Sequence, residues 1–304
     1  MRIYNDIHEL VGNTPMVKLN HLNVKKGVNI YAKLELWNPA GSVKDRLGMY
    51  FIKDAENKGL LKEGSVIIEA TAGNTGLGIA FAAINKGYRV IFVVPTKFSK
   101  EKLSLMKAFG AEIVSTPREL GMKGATDKMN ELLNEIPNSI AFQQFENQAH
   151  PIAHYLSTGP EIYEDMDGKI DYFVVGAGTG GTYTGVMRAL KEKDPKIKGV
   201  LADPIGSIIG GGTDHSDYNI EGIGNDFVPD TMDTNLIDIC IKVNDSDAYE
   251  MSKIIMKKEG IIAGTSSGAA LWCALELAKK IDSGNIVVLF PDRGDRYIIK
   301  GIYD

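Results

Sequence analysis

The chain has 304 residues, 44% of them hydrophobic, which fits one large or two intimately packed domains around a sizeable buried core. A formal charge of -5 with both signs interspersed supplies no basic run to neutralise a row of phosphates, which excludes a nucleic-acid surface. No apolar stretch reaches the roughly 20 residues needed to span a bilayer, and the first ten residues mix charge with apolar side chains, so no membrane association and a cytoplasmic location are expected. The two cysteines, Cys240 and Cys273, sit among apolar residues and read as buried thiols.

In chain order, the first clear helix pattern is Val43, Leu47, Tyr50 and Phe51, following a turn of Pro, Gly and Ser at 39–42. A strand over 65–71 precedes a turn at 72–76 and a helix over 77–86; strands at 88–95 and 112–116 precede helices at 100–109 and 125–134. A strand at 171–175 runs into a glycine cluster and a helix over 182–193, and another strand follows at 198–202. After a glycine-rich loop at 206–229 come a strand at 236–243, helices over 246–259 and 267–281, and a strand at 285–290. Strands that are continuous apolar runs alternating with helices predict an α/β fold with mostly parallel sheets covered on both faces. The best composition break is the polar stretch 143–151.

Several motifs carry chemistry. Lys44, in Asn-Pro-Ala-Gly-Ser-Val-Lys-Asp-Arg at 38–46, falls in a helix's first turn, where the positive helix end favours the neutral amine that Schiff-base formation needs. The turn after the 171–175 strand places Gly176, Gly178, Thr179, Gly180, Gly181 and Thr182 at a helix N-terminus, an arrangement suited to a phosphate ester. Gly176, Gly178 and Gly181 also satisfy G-x-G-x-x-G, with Asp203 ending the next strand, so a nicotinamide dehydrogenase stays open. Thr71, Ala72, Asn74 and Thr75 form a second strand-to-helix turn able to bind a carboxylate. Gly-Thr-Ser-Ser-Gly at 264–268 matches a hydrolase nucleophile elbow, but all five histidines lie upstream of Ser266, which is the wrong order for that triad. His150 and His154 have ligand spacing, but Pro151 and the lack of a paired Glu argue against a metal.

Taken in register, these stretches, with Val-Gly-Asn-Thr-Pro at 11–15, Gln-Gln-Phe at 143–145, Glu-Gly-Ile-Gly at 221–224 and Pro-Asp-Arg-Gly-Asp-Arg-Tyr at 291–297, span essentially the whole chain. The chain resembles the cysteine synthase and cystathionine β-synthase family, pyridoxal-phosphate enzymes of the tryptophan-synthase-β-like fold. The resemblance implies pyridoxal 5'-phosphate as cofactor; on the residue pattern above, no metal is expected. It implies a smaller, mobile domain over 38–147 carrying the substrate-carboxylate loop, with 1–37 and 148–304 forming a larger domain for the cofactor's phosphate and ring. Lys44 would be the Schiff-base lysine and the base for the α-proton. Gly178, Thr179, Gly180, Gly181 and Thr182 would hold the phosphate, Asn74 the phenolic oxygen and Ser266 the pyridine nitrogen. Thr71, Ala72, Asn74, Thr75, Gln144 and Gly222 would meet the substrate. A homodimer is implied as well; docking of a serine acetyltransferase tail stays open.

The chain departs from the commonest cysteine synthase pattern at Ala40 and Ala72, which stand in place of Gly and Ser, and at Asp226, where a small residue is typical. Asp226 is expected in the branch that accepts poorer leaving groups, where it would act as a second catalytic residue. The expected reaction is therefore β-replacement on L-cysteine or L-serine through an aminoacrylate, with sulfide or another thiol leaving or entering. An O-acetylserine-dependent cysteine synthase is the nearer alternative, and a dehydrogenase the more distant one.

Overall fold

The computed structural model describes residues 3–96, 100–213 and 215–303, and the chain divides into two compact units. Unit 1 comprises Met1–Val11 and Lys44–Ala149; unit 2 comprises Gly12–Val43 and His150–Asp304. The sequence boundaries at 38 and 148 thus differ from the observed ones. In unit 2, Asn38 Oδ1 accepts from the Gly12 N–H at 2.9 Å and Asn38 Nδ2 donates to Glu35 Oε2 at 2.8 Å, while Val43 N donates to the Pro291 carbonyl at 2.8 Å. In unit 1, His8 Nε2 meets the Phe81 carbonyl at 2.9 Å, which ties the first residues to that unit.

The elements run β1 (Met16–Lys18), β2 (Val28–Leu34), α1 (Lys44–Asn57), β3 (Val66–Ala70), α2 (Asn74–Ala82), β4 (Arg89–Pro95), α3 (Lys100–Ala108), β5 (Glu112–Thr116), α4 (Gly121–Glu135), β6 (Ser139–Ile140), α5 (Ala149–Leu156), α6 (Thr158–Asp165), β7 (Tyr172–Gly176), α7 (Gly181–Lys193), β8 (Lys198–Pro204), β9 (Ile239–Val243), α8 (Asp245–Ile254), α9 (Thr265–Ala278) and β10 (Gly284–Phe290). The 246–259 helix of the sequence reading is α8 followed by a π-helical turn over Ile255–Glu259. The polar stretch 143–151 is turn-rich as far as Gln148, and its last three residues open α5, which α6 follows. Asn147 Oδ1 accepts from Ala149 N, and Pro151 falls in the first turn, where a missing N–H costs nothing.

Unit 1 is built on a four-stranded, all-parallel sheet in the order β5-β4-β3-β6. Alternate strand residues face opposite layers, as the two-residue pleat requires. Ile67, Val90, Phe92 and Val94 pack with Leu47, Phe51, Leu77 and Met106 from α1, α2 and α3. Val66, Ile68, Ile91 and Val93 pack with Ala125 and Met129 of α4.

Unit 2 holds a six-stranded sheet, β1-β2-β10-β7-β8-β9, parallel except for the antiparallel edge strand β1. One face carries α8 and α9 and the other α6 and α7. Burial on both faces explains the uninterrupted apolar runs of β7 and β10.

Each sheet has one point where strand order reverses. In unit 1, β4 and β5 follow on one side of β3 and β6 returns on the other; in unit 2, β8 and β9 follow on one side of β7 and β10 returns on the other. Chains leaving neighbouring parallel strands in opposite directions open a crevice at their carboxyl ends, where ligands of α/β proteins bind.

Candidate active site

At the reversal point of unit 1, the chain leaves β3 into residues 71–73 and enters α2 at Asn74, while the chain after β6 passes through Phe142, Gln143 and Gln144. The Thr75 hydroxyl donates to Gln144 Oε1 at 2.6 Å and joins the two segments. With its oxygen so engaged, the Gln144 amide nitrogen is the donor end of that side chain. Thr71, Ala72 and Thr75 are buried, and Gly76 makes room for the loop, since a Cβ there would lie 3.1 Å from Thr71 Cγ2. The first N–H groups of a helix have no carbonyl partner within it, so the α2 N-terminus adds backbone donors and a positive end to these side chains. The set suits a carboxylate.

Lys44 opens α1 of the same unit and is half-buried. A Cβ on Gly78 would lie 2.2 Å from the Lys44 carbonyl oxygen, and one on Gly48 would lie 2.2 Å from the Gly78 carbonyl oxygen. Only glycine permits that approach of backbones. It holds the start of α1 against α2, one turn beyond Asn74. Residue Val43, immediately before Lys44, is anchored in unit 2 by Pro291 beyond the carboxyl end of β10, as is its neighbour Ser42, which bridges Asp292.

At the reversal point of unit 2, β7 runs through Ala177, Gly178, Thr179 and Gly180 into the 13-residue α7. Gly180 caps the helix in the left-handed region at φ +82°. The segment 222–225 lies directly on this turn: Gly224 N donates to the Ala177 carbonyl at 2.7 Å, Asn225 Nδ2 donates to the Gly178 carbonyl at 2.6 Å, and a Cβ on Gly178 would lie 2.4 Å from the Gly222 carbonyl oxygen. The Thr182 hydroxyl meets His154 Nε2 at 3.2 Å, and His154 Nδ1 meets Thr158 Oγ1 at 2.8 Å. His154 therefore braces the phosphate-type turn from α5. Ser266 is buried in the first turn of α9, and Gly264 N donates to the Asp292 carbonyl at 3.1 Å, which ties the α9 N-terminus to the chain leaving β10. Gly268 serves packing: a Cβ there would lie 2.1 Å from the Ala248 carbonyl oxygen of α8.

These residues fit pyridoxal phosphate. A glycine turn capped by left-handed Gly180, at the positive end of a long helix and beside the Thr179 and Thr182 hydroxyls, matches a phosphate dianion without a cationic side chain. A hydroxyl at Ser266 matches a neutral ring nitrogen, and a lysine in the first helical turn matches carbonyl chemistry. The dinucleotide alternative loses its acidic residue. Asp203 is fully buried, accepting from Lys242 Nζ at 2.5 Å and Gly210 N at 3.0 Å, so it cannot reach a ribose.

Asp226 is exposed on the loop, next to the anchored Asn225. Tyr218 registers the charge around it: burial first, then Asp203, Asp226 and Asp245, push its hydroxyl up to about 12. Three residues with site-shaping contacts escaped the sequence reading. Asn225 left no sequence signal of its own, and the spacing of His154 from His150 pointed to a metal ligand, not to its contact with Thr182, since these partners are distant in the chain. Glu69 did leave one: a carboxylate inside the apolar run of β3.

Glu69 is buried, and its Oε1 accepts from Phe142 N and from Gln143 N, the latter at 2.9 Å. Burial raises its carboxyl from the ordinary 4.5 to about 7, and the two N–H donors oppose the rise. A pKa higher in the folded chain than in the unfolded one means that the neutral form's stabilisation is complete below about pH 4.5 and lost as pH climbs to about 7. Between pH 5 and 8 the parent is expected to lose roughly 2–3 kcal/mol relative to Glu69→Gln. Denaturant unfolding of both proteins at the two pH values checks this; parallel pH dependences would refute it.

Known proteins resemble this chain over nearly its full length. A family model described as pyridoxal-phosphate dependent enzyme matches residues 7–292. The chain is 50% identical to an O-acetylserine dependent cystathionine beta-synthase of Bacillus subtilis (strain 168), covering 100% of this chain and 99% of that protein. It is 43% identical to a cysteine synthase of Staphylococcus aureus (strain Mu50 / ATCC 700699), over 98% of this chain and 97% of that one. The crystal structure of a hydrogen sulfide-producing enzyme from Fusobacterium nucleatum superposes with a TM-score of 0.92 at 39% identity, covering 97% of this chain and 100% of that one. Such identity along nearly the full length, on a fold with the glycine turn, the first-turn lysine and the α9 serine in place, makes this chain a member of the pyridoxal-phosphate dependent enzyme family.

Proposed function

We propose that the chain catalyses β-replacement on a small L-amino acid, L-cysteine or L-serine, with sulfide or another thiol leaving or entering. The observation that carries this reading is the carboxylate-binding set joined by Thr75 and Gln144 in the same unit as Lys44, within a chain similar throughout to β-replacement enzymes by name. Pyridoxal phosphate, when bound, supplies an electron-withdrawing ring that acidifies the α-C–H of the amino acid it carries.

The residues divide the remaining work. The turn from Gly178 to Thr182 binds the phosphate, Asn74 the phenolic oxygen and Ser266 the ring nitrogen. Thr71, Ala72, Asn74, Thr75 and Gln144 orient the substrate through its carboxylate, with Gly222 lining its side chain. Lys44 would hold the cofactor, and its amine would serve as the base for the substrate's α-proton. Asp226 exchanges a proton with the β-substituent, giving one to a departing hydroxyl or thiol or accepting one from an incoming thiol. A homodimeric, cytoplasmic enzyme belongs to the same reading, on the family resemblance.

A second reading takes O-acetylserine as the amino-acid donor, and the name of the 50% identical Bacillus relative favours it. Assays of the cofactor-loaded protein with L-cysteine and a larger thiol, and with L-serine and O-acetyl-L-serine each with sulfide and with a larger thiol, separate the two. Turnover of L-cysteine or L-serine at rates comparable to O-acetyl-L-serine is expected. Turnover of O-acetyl-L-serine alone would select the second reading, and turnover of none would reject both.

A further inference from the structure

The roles proposed above leave Glu69 unused, although its placement is among the most constrained in unit 1. It is 3% exposed near the end of β3, whose other residues are apolar. A carboxylate is kept in such a place only where donors satisfy it. Those donors are the N–H groups of Phe142 and Gln143, both reached by one oxygen. Gln143 adopts φ +55°, a left-handed conformation that side chains other than Gly, Asn and Asp seldom take. The turn is closed from its other side as well: Asn147 Nδ2 donates to the Phe142 carbonyl at 2.9 Å, and the N–H groups of Glu146 and Asn147 donate to the Gln143 carbonyl at 3.0 Å. The next residue is Gln144, which Thr75 engages from α2. Glu69, the 142–143 turn, Gln144 and Thr75 thus form one hydrogen-bonded chain that starts in β3 and ends in the first turn of α2.

We infer that Glu69 is a positioning residue for the substrate carboxylate: by accepting both N–H groups it fixes the left-handed turn at Gln143 and so holds the Gln144 amide against Thr75. This rests on the carboxylate-site reading above. A residue that acts only through Gln144 has a signature that a general structural role lacks, because its effect disappears once Gln144 is gone.

The test uses the cofactor-loaded protein and L-alanine, which has no β-leaving group, with binding followed by the visible absorbance change. Glu69→Asp keeps the charge but falls one methylene short of the turn. It is expected to weaken L-alanine binding by about tenfold and to raise KM for L-cysteine or L-serine similarly, with kcat within about threefold of the parent. Glu69→Gln retains an acceptor oxygen of the same reach and is expected to bind L-alanine within about threefold of the parent. Gln144→Ala is expected to weaken binding by about tenfold, with no further loss when Glu69→Asp is added. Full affinity in Glu69→Asp beside a weakened Gln144→Ala would overturn the role of Glu69 alone. So would a loss in Glu69→Asp that persists undiminished on the Gln144→Ala background. If Gln144→Ala binds L-alanine as the parent does, the carboxylate-site reading itself fails, and this inference with it. Should Glu69→Asp not fold, Glu69→Leu carries the same expectation, and a tenfold loss in Glu69→Gln would by itself reject an acceptor role.

Discussion

Lys44→Ala protein is expected to lose turnover by at least about a thousandfold, because in the proposed function one substitution removes both the amine that holds the cofactor and the base that takes the α-proton. The fold should survive. Lys44 is the first residue of α1 and half-buried, alanine is the best helix former, and the approach of α1 to α2 runs through the Lys44 backbone carbonyl and Gly48 and Gly78, which the substitution leaves unchanged. The Gly178 to Thr182 turn, proposed to bind the phosphate, belongs to unit 2 and keeps its bracing by Asn225 and His154. Noncovalent cofactor binding should therefore persist, with the visible Schiff-base absorbance lost. Steady-state assays and an absorbance scan check both halves of the expectation; turnover within tenfold of the parent would reject Lys44 as the reactive lysine.

The second large effect is expected at Asp226. Hydroxyl and thiol leave poorly unless protonated, whereas acetate needs little such help, so a carboxylic acid beside the β-carbon matters for the first two donors and not for the third. Asp226 is exposed at the end of a segment pinned to the Gly178 to Gly180 turn by Asn225, Gly224 and Gly222, and the proposed role needs that carboxylate to meet the β-substituent. Asp226→Asn is expected to lower turnover of L-cysteine or L-serine by roughly a hundredfold or more, while leaving cofactor binding and the reaction of O-acetyl-L-serine largely intact. The bland alternative is a turn aspartate facing solvent, which predicts no loss with any donor. Parallel rate measurements on the three donors distinguish these outcomes, and equal losses on all three would also reject the assignment.

The fold class and the glycine turns were legible in the sequence because their causes are local. A parallel strand buried on both faces is apolar nearly throughout, so β4, β7 and β10 announce themselves, and a strand running into Gly-rich residues and then a helix pattern reads as a candidate ligand turn. The Gly178 to Thr182 turn and the Thr71 to Thr75 loop could be named as candidates for the same reason, whereas the role proposed for Lys44 came from the family resemblance. The order of histidines alone removed the hydrolase reading of the Ser266 motif.

What the residues could not announce was which turns share a crevice and what braces them, since those partners are far apart in the chain. Thr75 and Gln144 are 69 residues apart, Glu69 and Phe142 are 73, and Asn225 and Gly178 are 47. Strand order decides each pairing: β6 returns beside β3 and β10 beside β7, so each ligand turn emerges where its sheet reverses direction. Asp203 shows the same limit from the other side. At the end of β8 it reads as a ribose ligand, yet pairing with β9 brings Lys242 onto its carboxylate and seals it in the core. Local patterning determined the elements and the chemistry that each turn can perform. Only the sheet topology decided which turns meet, because register and strand order are set by the packing of whole layers.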